Sequence, residues 1–151
     1  MPFWRTFYHL TWATKDRQPT IANTVEAQLH RAIVAKAQHL GALVHAVGGI
    51  EDHVHLVASV APKIAISEFV RQVKGSSSHF ANHEMQLPYG FCWQSEYGVV
   101  TFDDKSLDAV VSYVRNQREH HLRGGTLTLF ETTGPQGGGE VRDPGQDGDA
   151  R

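Results

Sequence analysis

The stretch VGGIEDHVHLVASV, Val47 to Val60, decides how this chain folds. Two short apolar runs, residues 42–48 and 53–60, flank GGIED, and that arrangement reads as a β-hairpin. Side chains alternate across a strand with period two. Val54 and Leu56 therefore point to one face, into the core, and His53 and His55 share the other. Two imidazoles adjacent on one sheet face can jointly hold a divalent metal. The same H-x-H spacing also arises in pairs of surface or hydrogen-bonded histidines, so both readings stand at this point.

Outward from the hairpin, the pattern alternates strand and helix. Residues 3–14 (FWRTFYHLTWAT) are aromatic and β-branched, which predicts a long first strand. Residues 24–40 place Val25, Leu29, Ala32, Ile33, Ala37 and Leu40 on one helical stripe, with Gly41 as the C-terminal cap. Residues 66–80 predict a second helix with Ile66, Phe69, Val70 and Val73 inward. FCWQ and GVVTF, separated at SEY, read as a second hairpin, and residues 106–121 as a last helix burying Leu107, Val110, Val111 and Val114. The order strand, helix, strand, strand, helix, short hairpin, helix is met most simply by an α+β fold. It predicts a ferredoxin-like antiparallel sheet with helices on one face, plus a C-terminal helix that carries Tyr113.

Composition bounds the function classes. Hydrophobic residues are 40% and charged residues 20% of the 151, which is globular composition. No run of about 18 apolar residues exists to span a membrane. The opening MPFWRTFYHLTW threads polar residues through its apolar ones, so it does not read as a signal peptide. The lone Cys92, between Phe91 and Trp93, excludes an internal disulfide, reads as a buried structural thiol and predicts a cytoplasmic location. Net charge is −2, but residues 124–151 hold five acids and two bases, leaving 12 bases and 11 acids in residues 1–123. Any nucleic-acid contact must then rest on local clusters and not on a global field. The segment from Gly124 carries eight glycines and two prolines, with little apolar periodicity beyond Leu127, Leu129 and Phe130. It divides the chain into a folded domain, 1–123, and a Gly-rich acidic tail, 124–151, that cannot repay its ordering entropy.

Tyr113 and Gln117 are four residues apart on the last predicted helix, so they stack on one face. Tyr113 lies beside the buried stripe, where an amphipathic tyrosine at a core boundary is the ordinary reading. His120 and His121 end that helix, where they complement its dipole. The sequence holds no phosphate-binding glycine loop, no Cys-x-x-Cys and no acid cluster spaced for a two-metal nuclease.

Taken together these residues resemble the single-tyrosine HUH transposases of minimal bacterial insertion sequences. His53-Val54-His55 stands for the HUH motif, and the resemblance spans roughly residues 5–121. It runs through YHLTWATKDRQP, VGGIEDHVHLVASV, SEFVRQVKGSSS, WQSEYGVVTF and SLDAVVSYVRNQ. The resemblance implies that His53, His55 and Gln117 ligate Mg²⁺ or Mn²⁺ and that Tyr113 attacks the scissile phosphate. A 5′-phosphotyrosine link and a free 3′-hydroxyl would follow, and strand transfer would rejoin the DNA. The implied substrate is single-stranded DNA with hairpin ends; the implied assembly is a homodimer whose tyrosine helix serves the partner's histidines. For DNA contact the candidate clusters are Lys15/Arg17, Arg71/Lys74 with Ser76, and Arg115/Arg118. The alternatives are a domesticated hairpin-nicking relative, a non-catalytic single-strand DNA-binding module and an unrelated His-x-His hydrolase. No residue identifies the base for Tyr113. Because metal ligation needs neutral imidazoles, activity is expected to fall as pH drops through about 6.5.

Overall fold

In the computed structural model, which describes residues 2–124 and 126–133, four strands form one antiparallel sheet in the order β2-β3-β1-β4. The strands are β1 (Tyr8–Ala13), β2 (Leu43–Ile50), β3 (His53–Ser59) and β4 (Gly98–Thr101). Helix α1 (Asn23–His39) crosses from β1 to β2, and α2 (Ile66–His79) leads from β3 towards β4. This is the ferredoxin-like α+β arrangement that the strand–helix order predicts.

The ladder register sorts every side chain. Trp12 pairs with Val54 and Leu10 with Leu56, so these four share the face that α1 and α2 cover. Val25, Leu29, Ile33 and Ala37 from α1 and Phe69, Val70 and Val73 from α2 complete that core. Leu29 and Ile33 are fully buried, and each such side chain contributes roughly 1.5–3 kcal/mol. Thr11 pairs with His55 and Ala13 with His53, which puts both histidines on the opposite face. A second, smaller cluster covers that face: Ala46 and Val57 of the sheet with Val110, Tyr113 and Val114 of helix α3 (Leu107–Arg115).

Five expectations need correction. The first strand begins at Tyr8, not Phe3, because its last partner on β3 is Ala58. Beyond that point the Thr6 hydroxyl stands in for the ladder, donating to the Val60 carbonyl at 2.9 Å and accepting its N–H at 3.1 Å. FCWQ and GVVTF do not pair as a hairpin. Both run along the same edge of β1, Trp93 bridging to Thr14 and Gly98 to Thr11, so the intervening residues bulge without reversing the chain. That alternation turns Phe91 and Trp93 inward and leaves Cys92 exposed rather than buried.

The last helix is not continuous. It breaks at Asn116 (φ −105°, ψ 32°), and α4 (Gln117–Arg123) starts afresh. The Asn116 amide donates to the Ser112 carbonyl at 2.9 Å, the local side-chain competition that disfavours asparagine inside helices. Finally, part of the predicted tail is ordered. Gly124 (φ +69°) caps α4 in the left-handed region. The chain then returns to the sheet as a one-turn helix, α5 (Thr128–Glu131). Residues 134–151 of the tail lie outside the described residues.

Candidate active site

His53 and His55 lie fully inside the molecule, at 1% and 0% exposure, on the face covered by α3, α4 and α5. Each is oriented through its Nδ1. Asp52 Oδ1 lies 2.7 Å from His53 Nδ1, and His9 Nε2 lies 2.8 Å from His55 Nδ1. With both Nδ1 atoms engaged, the two Nε2 atoms are left to face a common point, the arrangement that supports metal-ligating histidines.

That point is occupied by a side chain the sequence did not single out. Glu131 Oε2 sits 3.2 Å from His53 Nε2, 3.4 Å from His55 Nε2 and 3.5 Å from His121 Nε2. Its other oxygen, Oε1, accepts a hydrogen bond from the Tyr113 hydroxyl at 2.5 Å. Gln117 Oε1 lies 3.4 Å from His53 Nε2 and 3.2 Å from His121 Nε2. The structure thus gathers His53, His55, Gln117 and Tyr113 around one point, despite the break between Tyr113 and Gln117. It adds His9, His121 and Glu131.

Burial and charge set the protonation states. Burial lowers His9 to about 3, so it is neutral, and burial likewise lowers His55. Burial also acts to lower His53, but hydrogen bonds to Asp52 and Glu131 outweigh it and raise the group to about 9. Glu131 is pushed up by burial, yet the bond from His53 and the charge interaction with the neighbouring His55 ring hold its carboxyl well below the usual range. Burial and the bond to Glu131 push the Tyr113 phenol up to about 12.

The donor set fits a divalent ion. Neutral, fully buried His55 Nε2 has no hydrogen-bond partner; its 3.4 Å approach to Glu131 lacks hydrogen-bond geometry. In the tautomer that donates its Nδ1 proton to His9, His55 Nε2 carries a free lone pair, the state that metal ligation needs. Ligand atoms from His53, His55 and Glu131 all lie within 4.8 Å of one another. Two imidazoles with oxygen donors suit a first-row or alkaline-earth divalent cation.

The expected DNA clusters scatter. Lys15 and Arg17 lie in a short turn at the rim, where Arg17 approaches Asp52 Oδ2 at 3.7 Å. Arg71, Lys74 and Ser76 ride on α2, across the sheet from the histidines, and Arg71 is bonded to Glu68. Arg115 reaches the His45 carbonyl at 3.4 Å. Arg118 is spent on Glu51 and Glu26, at 2.8 and 3.2 Å, tying α4 to the hairpin turn and to α1. His120 and His121 lie in the last turn of α4, and both also reach the site: His120 stacks on Tyr113 at 4.8 Å and His121 reaches Gln117.

One signal for His121 was present in the sequence, since Tyr113, Gln117 and His121 follow at four-residue steps. His9 shows only once the register of β1 on β3 is known. The resemblance also implied a tyrosine serving a partner's histidines. Here Tyr113 packs edge-on to His55 of its own chain, ring centres 6.1 Å apart, because α3 seats directly on β2 and β3.

The chain has counterparts among known proteins. The family model described as "Transposase IS200 like" matches residues 2–117. The ISDra2 transposase TnpA of Deinococcus radiodurans is 27% identical over 117 residues, covering 74% of this chain and 84% of that protein. A crystal structure of a Deinococcus radiodurans R1 protein assigned as a transposase superposes with a TM-score of 0.60 at 28% identity. It covers 78% of this chain and 95% of its own. A REP-associated tyrosine transposase, solved bound to a REP hairpin, shares the fold at 15% identity and a TM-score of 0.59, over 97% of this chain and 96% of that one.

Proposed function

The chain belongs to the IS200-like transposase family, and from that premise we propose that it cuts and rejoins hairpin-bearing single-stranded DNA through Tyr113 and a metal-holding histidine pair. The observation that carries the proposal is convergence: Tyr113 Oη and the Nε2 atoms of His53 and His55 all close on one anionic group. A scissile phosphate needs that same contact set, a nucleophile on one side and charge neutralisation on the other.

His53 and His55, with Gln117, are the proposed ligands of Mg²⁺ or Mn²⁺. Such an ion supplies Lewis-acid charge against the developing charge on the phosphate oxygens. Asp52 and His9 hold the two rings in register for it. Tyr113 attacks phosphorus: its Oη–P bond forms, the P–O3′ bond breaks, and the 3′ oxygen leaves as a hydroxyl. The phenol proton departs in the same exchange, so the number of phosphodiester-type bonds is conserved and no energy source is required. The 3′-hydroxyl of another end then reverses the step to rejoin the strands. A relative that only nicks hairpins would use the same residues for the first half of this sequence.

The test is a denaturing gel of labelled single strands spanning the ends of the protein's own locus, incubated with Mg²⁺ or Mn²⁺. A protease-sensitive, slow-migrating adduct is expected with the wild type and absent from Tyr113→Phe and His53→Ala. Equal adduct from Tyr113→Phe would remove the tyrosine mechanism. No adduct from folded, DNA-bound wild type would leave a binding module.

A further inference from the structure

Glu131 has no part in that reaction, yet it holds the centre of the site. It lies beyond the residues the family model matches, 2–117. One carboxylate oxygen touches the Tyr113 hydroxyl at 2.5 Å, and the other faces His53, His55 and His121 at 3.2, 3.4 and 3.5 Å. A carboxylate and the two non-bridging oxygens of a phosphodiester share charge sign and a comparable oxygen spacing. A phosphate poised for attack by Tyr113 must lie against the same hydroxyl and the same imidazole side. Both cannot be there at once.

The segment that delivers Glu131 is built to lie across the site. The Leu127 N–H donates to Tyr113 Oη at 3.0 Å, using up a lone pair of the nucleophile. Phe130 packs edge-on to His9 at 4.6 Å and against Tyr113 at 5.4 Å. The Gln94 amide donates to the Thr133 carbonyl at 3.2 Å. At Gly98 the Thr132 carbonyl comes so close that a Cβ there would lie 1.9 Å from it. Against these ties, α5 is a single turn of four residues with no wholly buried side chain among those described. Elements of that size sit at the low end of local stability and open without global unfolding.

Resting on the reading above, we propose that the Glu131 carboxylate occupies the seat of the scissile phosphodiester, making Leu127–Thr133 a built-in competitor that DNA must lift. The segment suppresses binding and attack together. It covers the phosphate's contacts and ties up the Tyr113 hydroxyl proton in a hydrogen bond to a carboxylate. Binding-competent protein is the fraction with the segment raised, so the apparent affinity for DNA is reduced by that fraction.

The test uses the full chain and three variants. Glu131→Ala removes the phosphate mimic. Phe130→Ala and Gly98→Ala loosen the segment and leave the net charge and the carboxylate untouched, which separates displacement from a general loss of negative charge. The first readout is the affinity for the hairpin-bearing strand in EDTA, by fluorescence anisotropy. All three variants are expected to bind roughly tenfold more tightly than wild type. The second is adduct formation with Mn²⁺, expected to be faster in Phe130→Ala and Gly98→Ala. Unchanged affinity in all three, or tightening by Glu131→Ala alone, overturns the proposal. So does loss of adduct in Phe130→Ala and Gly98→Ala with their EDTA affinity unchanged, which would make the placed Glu131 a working ligand. If Tyr113→Phe still forms adduct, the tyrosine mechanism falls while the EDTA affinities continue to read the seat.

Discussion

His53 illustrates how far a residue's chemistry departs from that of a free imidazole once the fold surrounds it. Its proton affinity is set by a contest between burial, which lowers it, and the carboxylates of Asp52 and Glu131, which win and raise it to about 9. Metal must expel that proton. The expectation of lost activity below about 6.5 therefore moves upward: apparent metal affinity should climb about tenfold per pH unit through neutrality and level off above about 9. Calorimetric titration with Mn²⁺ at pH 7.5, in buffers of different ionisation enthalpy, should show close to one proton released. A buffer-independent heat would contradict it. For the metal-free protein the sign reverses. A folded pKa above the unfolded one gives stability that is full below about 6.5 and is lost as pH rises through about 9. Thermal melts in EDTA should accordingly fall across that window. Asp52→Asn weakens the orienting bond and removes one of the two carboxylates that raise His53, so the loss of ligand orientation must outweigh the relief of proton competition. Its metal affinity should drop about 10–100-fold with little change in fold, as measured by the same titration beside circular dichroism.

Among the elements, α3 is placed by a gap. At Gly48 a Cβ would stand 1.9 Å from the Val114 carbonyl, so the helix that carries Tyr113 can seat on β2 only over a glycine. Gly48→Ala should cost about 1–3 kcal/mol in urea unfolding, the range for overpacking a filled site, and should lower adduct yield by moving Tyr113. A variant as stable and active as wild type would show that α3 seats elsewhere. Arg118 makes the contrasting case. Its two carboxylate partners are partly exposed, so Arg118→Gln should cost about 0.5–1 kcal/mol of stability while leaving the salt dependence of DNA binding unchanged. A shallower salt slope in that variant would return Arg118 to the DNA surface. Strands and helices were legible here because period two and period 3.6 are written into side-chain polarity. The break at Asn116 and the in-line pairing of Trp93 and Gly98 on β1 were not. One depends on a single side-chain bond, the other on which edge a strand finds.

As a whole molecule the chain carries −2, and residues 1–123 nearly balance. Among the described residues no helix is long and apolar enough to cross a membrane. With no global field to attract DNA, affinity must come from a few local contacts, and its salt dependence should be shallow, equivalent to about two to four phosphates. A slope near that of a strongly basic DNA-binding protein would contradict this. The single chain also completes its own set of Tyr113, His53 and His55. Mixing Tyr113→Phe with His53→Ala subunits should therefore restore no adduct, and recovery of activity would show that protomers exchange their tyrosine helices.

What the sequence determined by itself was the hairpin of residues 47–60, the strand–helix order, the core stripes of α1 and α2, and the pairing of His53 with His55. All of these follow from spacing along a local backbone. The resemblance added roles for Tyr113 and Gln117. Only the tertiary structure decided that His9 orients His55, that His121 joins Gln117, and that Glu131 closes the site from a segment read as tail. Those contacts join residues 46, 4 and about 76–78 positions apart. For the long-range ones, only packing α5 over the sheet and the register of β1 on β3 bring the groups into reach. Glu131 was hidden for a further physical reason. Its segment has too few apolar residues to order on its own, and it is held by a polar site that exists only after the sheet and α3 have formed.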